Sequence, residues 1–508
     1  MQNKTKNKQI AKNTIFLYCR MFLILIVSLY TSRVVLQTLG EMDFGILNVV
    51  GGFITIFAFL GTTMSSAVSR YFAFEIGRGD SYKLNCYFNL SIIAFSIISL
   101  IILLLGETIG LWFLHNKMTI PEDRLRAAFW VYQFSVLAFI IQMFVIPYNS
   151  LIIAKEKMDI YAYISIFEAI MKLIVVCLLT LGEWDKLIFY SLLLLFSSCL
   201  TQALYIIYCK KEYKAESTLR KFWDFSMFSN LISFSGWTLF GAISGMCRGQ
   251  GLNIIINLFF NPVVNAARGI AFQISSSINQ FVNGFYTACR PQITKSYAQN
   301  NIEEMLRLVF QSSKLCFFLI FILSMPVIFQ IDYILGTWLG NYPTYTPLFT
   351  ILVIIEAMVE SLSYPFQGAV SSTGNIKGYQ IVTGGLMILT LPIAYILLEY
   401  GFPPESTMIV SICIALMAQI SRMFFMRRLL HMSIRKYAIQ VLIPVMFVVA
   451  IDLLIVYMSN RYIQIDTFFK FVLYSGFIVL LTMVTIYSIG LCKNERMALN
   501  GIIKKIHI

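Results

Sequence analysis

Long apolar segments separated by short polar loops run from one end of the chain to the other. About 20 residues are needed to cross a bilayer as a helix. On that basis the pattern predicts fourteen spans, near 14–38, 44–65, 88–106, 127–153, 160–181, 187–208, 233–258, 264–286, 308–330, 347–370, 379–398, 407–426, 438–458 and 468–491. The sequence therefore predicts an all-α polytopic membrane protein.

Composition supports this fold class, and the positions of the basic residues predict an orientation. The chain is 58% hydrophobic and 13% charged, whereas a soluble protein carries about 25% charged residues. With both termini inside, 27 of the 39 Lys and Arg residues lie in the termini, the inner loops or, for Arg422 alone, the inner end of a span; five lie in outer loops and seven in or beside the other spans. Short cytoplasmic loops hold such an excess. We therefore predict a multi-pass, N-in and C-in topology, and we read the net charge of +14 as orientation and contact with anionic lipids, not nucleic acid.

An internal repeat predicts two similar lobes. The stretch that begins LGEMDFGILNVVGGF has the same plan as one about 220 residues later, and Arg70 aligns with Arg290. A proline near the end of each fourth span repeats as well. We predict two pseudo-symmetric six-helix lobes, 1–220 and 221–436, related by an axis along the membrane normal, with the substrate route between them. Residues 437–508 add two C-terminal helices and a cytoplasmic tail.

A polar stripe follows the eighth span at helical spacing, opposite a face of Ile and Phe residues. Its members are Arg268, Phe272, Ser275, Asn279, Asn283 and Tyr286. The second span carries an equivalent face with Asn48, Gly52, Thr55, Phe59, Thr63 and Ser66. Polar side chains are costly against acyl chains, so both faces are expected to border a water-filled cavity. Hydrogen-bonded helix packing is the alternative interpretation.

Charged residues within the spans are candidates for substrate binding or ion coupling, because an ionisable group at mid-membrane is costly. Glu168 and Lys172 stand one helical turn apart and either face a cavity or neutralise one another. Glu356 and Glu360 carry like charges one turn apart. One of them is expected to be protonated, paired with Lys314 or an arginine, or bound to a cation. Asp452 is a weaker candidate, with a local structural partner as the alternative.

Span 7 places Gly241, Gly245 and Gly249 at four-residue spacing beside Arg248. Close helix packing and a hinge both explain the three glycines, and the two explanations are compatible. Arg248 is a candidate substrate-binding residue on the same helix.

Motifs for nucleotide hydrolysis, serine hydrolysis or zinc proteolysis are absent from the sequence, and its three histidines are widely spaced. The ten cysteines form no CxxC pair or ligand spacing. We therefore expect no cofactor and no enzymatic activity. The energy source would be a Na⁺ or H⁺ gradient, or the gradient of the substrate itself.

The spans, the doubled unit and the phrases MSSAVSRYFAFEIGRGD and NAARGIAFQISSSINQFVNGFYTACRPQI together resemble a known family. The chain is similar to the Wzx-like polysaccharide flippases of the multidrug/oligosaccharidyl-lipid/polysaccharide (MOP) transporter superfamily. The resemblance implies a MATE-like fold in a bacterial inner membrane. It also implies outward movement of undecaprenyl-diphosphate-linked oligosaccharide for O-antigen of lipopolysaccharide, capsule or exopolysaccharide, with a polysaccharide polymerase as a further partner.

Related lipid II flippases carry arginines on their first and eighth helices, a pattern that Arg20 and Arg268 resemble. The substrate-binding candidates are thus Arg20, Asn48, Lys172, Arg248, Arg268, Ser275, Asn279 and Asn283, and the ion-coupling candidates are Glu168, Glu356 and Glu360. Arginine suits a diphosphate because it offers bidentate contacts.

Two other functions are open to a membrane protein of this kind, a drug exporter and a membrane enzyme. A cation-coupled MATE-type exporter of cationic drugs should have an acidic cavity. Here, with the span-edge Arg33 and Lys470 left out, the acids Glu168, Glu356, Glu360 and Asp452 are outnumbered by basic residues: Arg20, Lys172, Arg248, Arg268 and Lys314. A membrane enzyme such as a glycosyltransferase or polymerase would need clustered acids or histidines on a large outer loop. The longest outer loop, near 107–126, offers only scattered ones.

Overall fold

The protein is described from a computed structural model that covers residues 2–55, 58–116, 120–179, 185–260, 262–461, 467–493 and 495–497. These residues form helices joined by short turns, and no strand occurs among them. The prediction of an all-α protein is confirmed.

The chain divides into two compact units. The N-terminal unit comprises residues 12–239. Its helices are α1 (Gln2–Thr55, whose first residues belong to the other unit), α2 (Ala58–Arg78), α3 (Ser81–Leu105), α4 (Leu111–Asn116), α5 (Leu125–Ala154), α6 (Met158–Leu179), α7 (Lys186–Glu212), α8 (Lys214–Ser217) and the first part of α9 (Phe225–Phe259).

The C-terminal unit comprises residues 1–11 and 240–508. It contains the rest of α9, α10 (Pro262–Ala298), α11 (Ile302–Phe329), α12 (Ile331–Leu339), α13 (Thr346–Ser361), α14 (Tyr364–Thr373), α15 (Lys377–Glu399), α16 (Ser406–Leu430), α17 (Ile434–Tyr437), α18 (Ile443–Asn460) and α19 (Phe468–Thr485). A buried apolar cluster holds α9, α10, α13 and α16 together through Ile256, Val264, Ala267, Ala271, Phe349, Val353 and Met408.

Local sequence explains where several helices begin and turn. Asp80, Asp185 and Asn301 each accept a backbone N–H bond from the first turn of the helix that follows, which satisfies a donor that the helix itself cannot. Gly40 interrupts α1 with φ near 80°, a conformation that side chains disfavour. This glycine lies in the short connection between the predicted spans 14–38 and 44–65.

Arg124 connects two loops of the N-terminal unit to the second half of α1. Its guanidinium is hydrogen-bonded to Asp43 and also donates to Asp185 over 2.8 Å. The hydrogen bond to Asp43 raises the pKa of Arg124 above its ordinary value, and the charges of both carboxylates raise it further. This ion pair fixes the loops before α5 and α7 to the second half of α1.

Eleven helices in the described part of the chain are long and apolar enough to cross a membrane. They confirm a multi-pass membrane protein. The three predicted spans outside this set are 44–65, 233–258 and 264–286. The last two lie in α9 and α10, which have 35 and 37 residues and at 1.5 Å per residue exceed the roughly 30 Å of the hydrocarbon core. Their polar residues lower their hydropathy, so the count of fourteen stays a prediction.

The predicted orientation can be tested with reporter fusions. Fusions at Lys214 and Arg435 should report the cytoplasm, and fusions at Asn341 and Pro404 the periplasm, because the inner loops hold most Lys and Arg. Paired alkaline phosphatase and fluorescent-protein reporters at each position would measure this. A reversal at any of the four positions would contradict the proposed spans.

Candidate polar and charged site

Arg248 on α9 binds both glutamates of α13. One guanidinium nitrogen lies 2.7 Å from Glu356 and the other 3.2 Å from Glu360. The exposed fractions of the three side chains are 16%, 7% and 25%. Because Glu356 and Glu360 are one turn apart, their carboxylates point to the same side of α13 and a single arginine bridges them. Arg248 thus satisfies two acids that would otherwise repel each other.

The sequence left open whether Lys314 or an arginine pairs with these glutamates. In the structure their partner is an arginine, Arg248. Lys314, the other candidate, instead lies 2.6 Å from Glu495, beyond the last helix. Asp452 is fully buried and accepts a hydrogen bond from Thr485 of α19 over 3.0 Å. Lys314 and Asp452 therefore each have a partner other than the two glutamates of α13.

Arg268 on α10 is buried, with 3% of its surface exposed. It donates to the side-chain oxygen of Asn253 and lies over the ring of Phe272, 4.4 Å from the centroid. Its charge interacts with Glu356 and Arg248 over a longer range. Among the described residues no carboxylate lies within ion-pair distance of Arg268, and its Nε has no hydrogen-bond acceptor. A buried guanidinium in this state has donors available for an anion.

The exposed side of α10 is polar from Gln273 to Asn283, in the middle of the helix. Phe272 and Asn283 of the predicted stripe lie there, while Arg268 and Ser275 are buried at its edge. Beside them the exposed face carries residues that the sequence stripe did not include: Gln273, Ser276, Ser277 and Gln280. The stripe predicted from the sequence is centred near Arg268. The middle of the exposed face lies about a quarter of a turn further around the helix axis. A membrane helix with such a face is suited to water and not to acyl chains.

Ser275 and Asn279 use their polar groups within the protein. The Asn279 amide donates to the Ser275 carbonyl over 3.0 Å and accepts from the Tyr364 hydroxyl over 3.1 Å. Tyr364 begins α14, just after the break between α13 and α14. For these two residues the structure fits hydrogen-bonded helix packing, the alternative interpretation of the stripe.

Arg422 on α16 is a buried arginine that sequence reasoning missed, because it was counted among the loop charges. It is 7% exposed and donates to the Ser363 hydroxyl over 2.9 Å. Ser363 in turn donates to the Glu360 carbonyl over 2.6 Å. Within the part of the chain that the structure describes, the Nε of Arg422 has no hydrogen-bond acceptor. A signal was present in the sequence, since Arg422 falls within the predicted span 407–426.

In the N-terminal unit, Arg20 and the pair Glu168–Lys172 are separately placed. The Arg20 guanidinium lies 4.4 Å from the Tyr161 ring centroid, and its Nε has no hydrogen-bond acceptor among the described residues. Lys172 lies 2.7 Å from Glu168, and both side chains are about half exposed. The two charges thus neutralise one another, as the simpler interpretation has it. The side chain of Asn48 lies outside the described residues.

The three glycines of α9 differ in their surroundings. A side chain at Gly241 would collide with Gln380 of α15, whereas Gly245 and Gly249 face open space. Close packing therefore explains Gly241. Within the described part of the chain, no three His, Cys, Asp or Glu residues are grouped so that they could hold a metal ion.

Comparison with solved structures shows the fold. A multidrug-resistance MATE transporter of the MOP superfamily in an outward-facing conformation has a TM-score of 0.69 at 16% identity, covering 84% of this chain and 96% of that one. The MATE transporter ClbM in complex with Rb⁺ has a TM-score of 0.69 at 14% identity, covering 85% and 96%. A MOP superfamily transporter from Pyrococcus furiosus, described as having a binding pocket of reverse polarity, has a TM-score of 0.66 at 13% identity, covering 84% and 96%. The chain has the MATE-like fold.

Sequence comparison adds the family. A search of curated proteins finds no match. A family model described as polysaccharide biosynthesis protein matches residues 10–297, more than half of the 508 residues. The fold is one that solved membrane transporters share. The predicted resemblance is confirmed: the chain belongs to the polysaccharide biosynthesis protein family, and it has the fold of solved MOP-superfamily transporters.

Proposed function

We propose that the protein moves an undecaprenyl-diphosphate-linked oligosaccharide from the cytoplasmic to the periplasmic leaflet of the bacterial inner membrane. Its two lobes would alternate between inward- and outward-facing states while the polyprenyl tail stays in lipid. The product would feed O-antigen, capsule or exopolysaccharide synthesis, with a polymerase as the next partner. Membership of a polysaccharide biosynthesis family supports this substrate class.

The main support for this proposal is that Arg268 is buried and has hydrogen-bond donors available. A diphosphate needs positive charge and hydrogen-bond donors in a site shielded from bulk water, and a planar guanidinium gives bidentate contacts to phosphate oxygens. Arg268 is buried, lacks an ion-paired carboxylate among the described residues and keeps a donor without an acceptor. Arg20 resembles Arg268 in two respects: its guanidinium lies over an aromatic ring, and its Nε has no acceptor among the described residues.

The exposed face of α10 supplies groups for sugars. Hydroxyl and amide side chains at Gln273, Ser276, Ser277 and Gln280 can exchange hydrogen bonds with sugar hydroxyls. Phe272, exposed beside them, offers an aromatic surface to the apolar side of a sugar ring. A helix with these residues suits a glycan head group better than a hydrophobic drug.

The second candidate is a cation-coupled multidrug exporter, because a solved MATE neighbour is a multidrug-resistance transporter. Such a transporter would need free acidic groups for a cationic substrate. Here Glu356 and Glu360 are both bound to Arg248. The reverse-polarity pocket of the Pyrococcus furiosus neighbour indicates that this fold also serves pockets of another charge. The charge distribution in this chain favours the anionic substrate.

Deletion of the gene followed by analysis of lipid-linked oligosaccharides would test the proposal. Loss of transport should leave full-length lipid-linked oligosaccharide in the inner leaflet, with surface glycan lost and restored by the plasmid-borne gene. Mass spectrometry of the lipid extract would also identify the sugars. Unchanged lipid-linked oligosaccharide and surface glycan in the deletion strain would refute the function.

Coupling to an ion gradient follows from the balance of charge around Arg248. With both glutamates ionised, one arginine faces two carboxylates and the group is net negative, which disfavours an anionic substrate nearby. Protonation of one glutamate, or binding of Na⁺, would cancel that charge. Inward movement of the cation could then drive outward movement of substrate. One structural neighbour, the MATE transporter ClbM, was solved in complex with Rb⁺, which supports a site for a monovalent cation in this fold.

Glutamine variants of the two acids should separate coupling from structure. In Glu356→Gln or Glu360→Gln, Arg248 keeps one carboxylate, so the protein should fold. Transport in proteoliposomes should no longer respond to an imposed pH or Na⁺ gradient. Glu303→Gln, an exposed residue at the start of α11, is the matched control and should respond normally. Stable Glu356→Gln and Glu360→Gln variants that still follow both gradients would exclude these acids from coupling.

A further inference from the structure

A cavity of about 230 Å³ lies within the N-terminal unit, between the second half of α1, α5 and α7. Drug-sized ligands occupy pockets of roughly 300–1,000 Å³, so this cavity has room for about one ring and not for an oligosaccharide. Its walls are Leu47 and two leucines of α7 on one side and Phe134, Ala138 and Phe139 of α5 on the other. The size and the phenyl rings suit a compact ligand with an apolar face.

Polar side chains also line the cavity, and they are available. Ser135, Gln142 and Ser198 make no hydrogen bond through their side chains to any described residue, whereas Ser191 donates to the Leu187 carbonyl over 2.9 Å. No lining residue is charged. The cavity therefore offers two hydroxyls and one amide to a neutral ligand, and it has nothing to pair with a phosphate or a cation.

The position of the cavity on its helices argues against a lipid tail. On α5 the exposed apolar residues Trp130, Leu137 and Phe144 share one side, and the cavity residues lie on the far side, on average about 130° around the helix. On α7 the exposed Leu192, Phe196 and Leu200 are likewise opposite the cavity residues. Acyl chains cover the exposed apolar sides, and unpaired hydroxyl and amide groups are costly in hydrocarbon.

We propose that this cavity is a subsite for one neutral sugar of the transported glycan that carries a methyl group, either a 6-deoxyhexose or an N-acetylated hexosamine. The inference rests on the proposed glycan transport and deepens it by naming a sugar class. The methyl group would pack between Phe134 and Phe139, and the ring hydroxyls would bind Gln142 and Ser135. Such a sugar combines an apolar face with hydroxyl groups, which matches the composition of the walls.

Binding can be measured by saturation-transfer NMR on the purified full-length protein. The probes are methyl 6-deoxy-α-mannoside, methyl N-acetyl-β-glucosaminide and, without such a methyl group, methyl α-glucoside. Saturation should reach the C6 methyl or N-acetyl protons of one of the first two probes at millimolar concentration, and the glucoside should show far less. Geraniol, an isoprenoid alcohol, tests the lipid-tail alternative.

Three variants connect the signal to the cavity. Ala138→Phe fills it and should abolish the signal, while Leu137→Phe, one residue away on the exposed apolar side, should leave it unchanged. Gln142→Leu adds little volume and should weaken binding roughly 2- to 10-fold by loss of one hydrogen bond. Matched thermal unfolding would establish that each variant is folded, and Gln142→Leu remains informative if Ala138→Phe does not fold.

The outcomes distinguish this subsite from the proposed function. Equal signals in Ala138→Phe and Leu137→Phe, or in wild type and Gln142→Leu, would overturn the subsite. Saturation of geraniol that depends on Ala138, with none for the sugars, would overturn it as well. Sugar binding that depends on the cavity would support it even if the deletion strain showed normal lipid-linked oligosaccharide, because binding is measured without transport.

Discussion

Replacing Arg268 by alanine is expected to stop glycan transport without unfolding the protein. Loss of a buried, charge-assisted contact costs about 2–5 kcal/mol of binding, which weakens the complex at least roughly 30-fold. Arg268→Lys should keep part of the activity, because the charge survives and the bidentate geometry does not. Translocation of lipid-linked oligosaccharide in proteoliposomes and surface glycan in the complemented deletion strain would measure the loss.

Folding should survive this change because Arg268 has no ion-paired carboxylate among the described residues to leave behind. The matched control is Arg428→Ala, which removes an exposed arginine from the end of α16 and should transport normally. Thermal unfolding of the purified variants would establish that both are folded. Full transport by a folded Arg268→Ala variant would remove this residue from the substrate site.

Replacing Arg248 by methionine is expected to destabilise the protein itself. Removing one partner of a buried ion pair costs about 3–5 kcal/mol because the other charge is left buried and unpaired. We expect a value near the lower end, about 3 kcal/mol, since Glu360 keeps 25% of its side chain exposed. Thermal unfolding in detergent and the yield of membrane-inserted protein would both fall.

The control for Arg248→Met is Lys172→Met, which breaks an exposed pair one helical turn apart. Exposed pairs contribute about 0–1 kcal/mol, so little change is expected. The triple variant Arg248→Met, Glu356→Gln, Glu360→Gln should recover part of the lost stability, because no unpaired charge remains. If Arg248→Met were as stable as Lys172→Met, the ion pair would have no structural role.

Within the C-terminal unit, we therefore expect Arg248 to stabilise the fold and Arg268 to bind substrate. Arg248 and Arg268 are both arginines in long helices with many small or polar residues, and the sequence assigned both to substrate binding. The structure pairs Arg248 with Glu356 and Glu360 and leaves Arg268 without such a pair. In sequence, Arg248 and Glu360 are 112 residues apart, so no local pattern could predict their contact.

The candidate site on α10 was partly predictable. Helical spacing placed Arg268, Ser275, Asn279 and Asn283 on one face, because the period of a helix is fixed. It could not place that face relative to the neighbouring helices. Packing of α9, α13 and α16 through the cluster around Ala267 buries Ser275 and turns Gln273 and Gln280 outward. The exposed polar face is therefore displaced from the one that spacing alone selected.

The sequence by itself determined the class of protein, the polar stripe of the eighth span and the resemblance to polysaccharide flippases. Hydropathy is a property of each segment, and a bilayer demands helices of one minimum length, so such features need no knowledge of contacts. Only the tertiary structure decided which charges are paired: Arg248 with two glutamates, Lys314 with Glu495, and Arg268 with none among the described residues. Ion pairs and cavities arise where helices distant in sequence pack together. The residue pattern of one helix does not show which other helix it will contact.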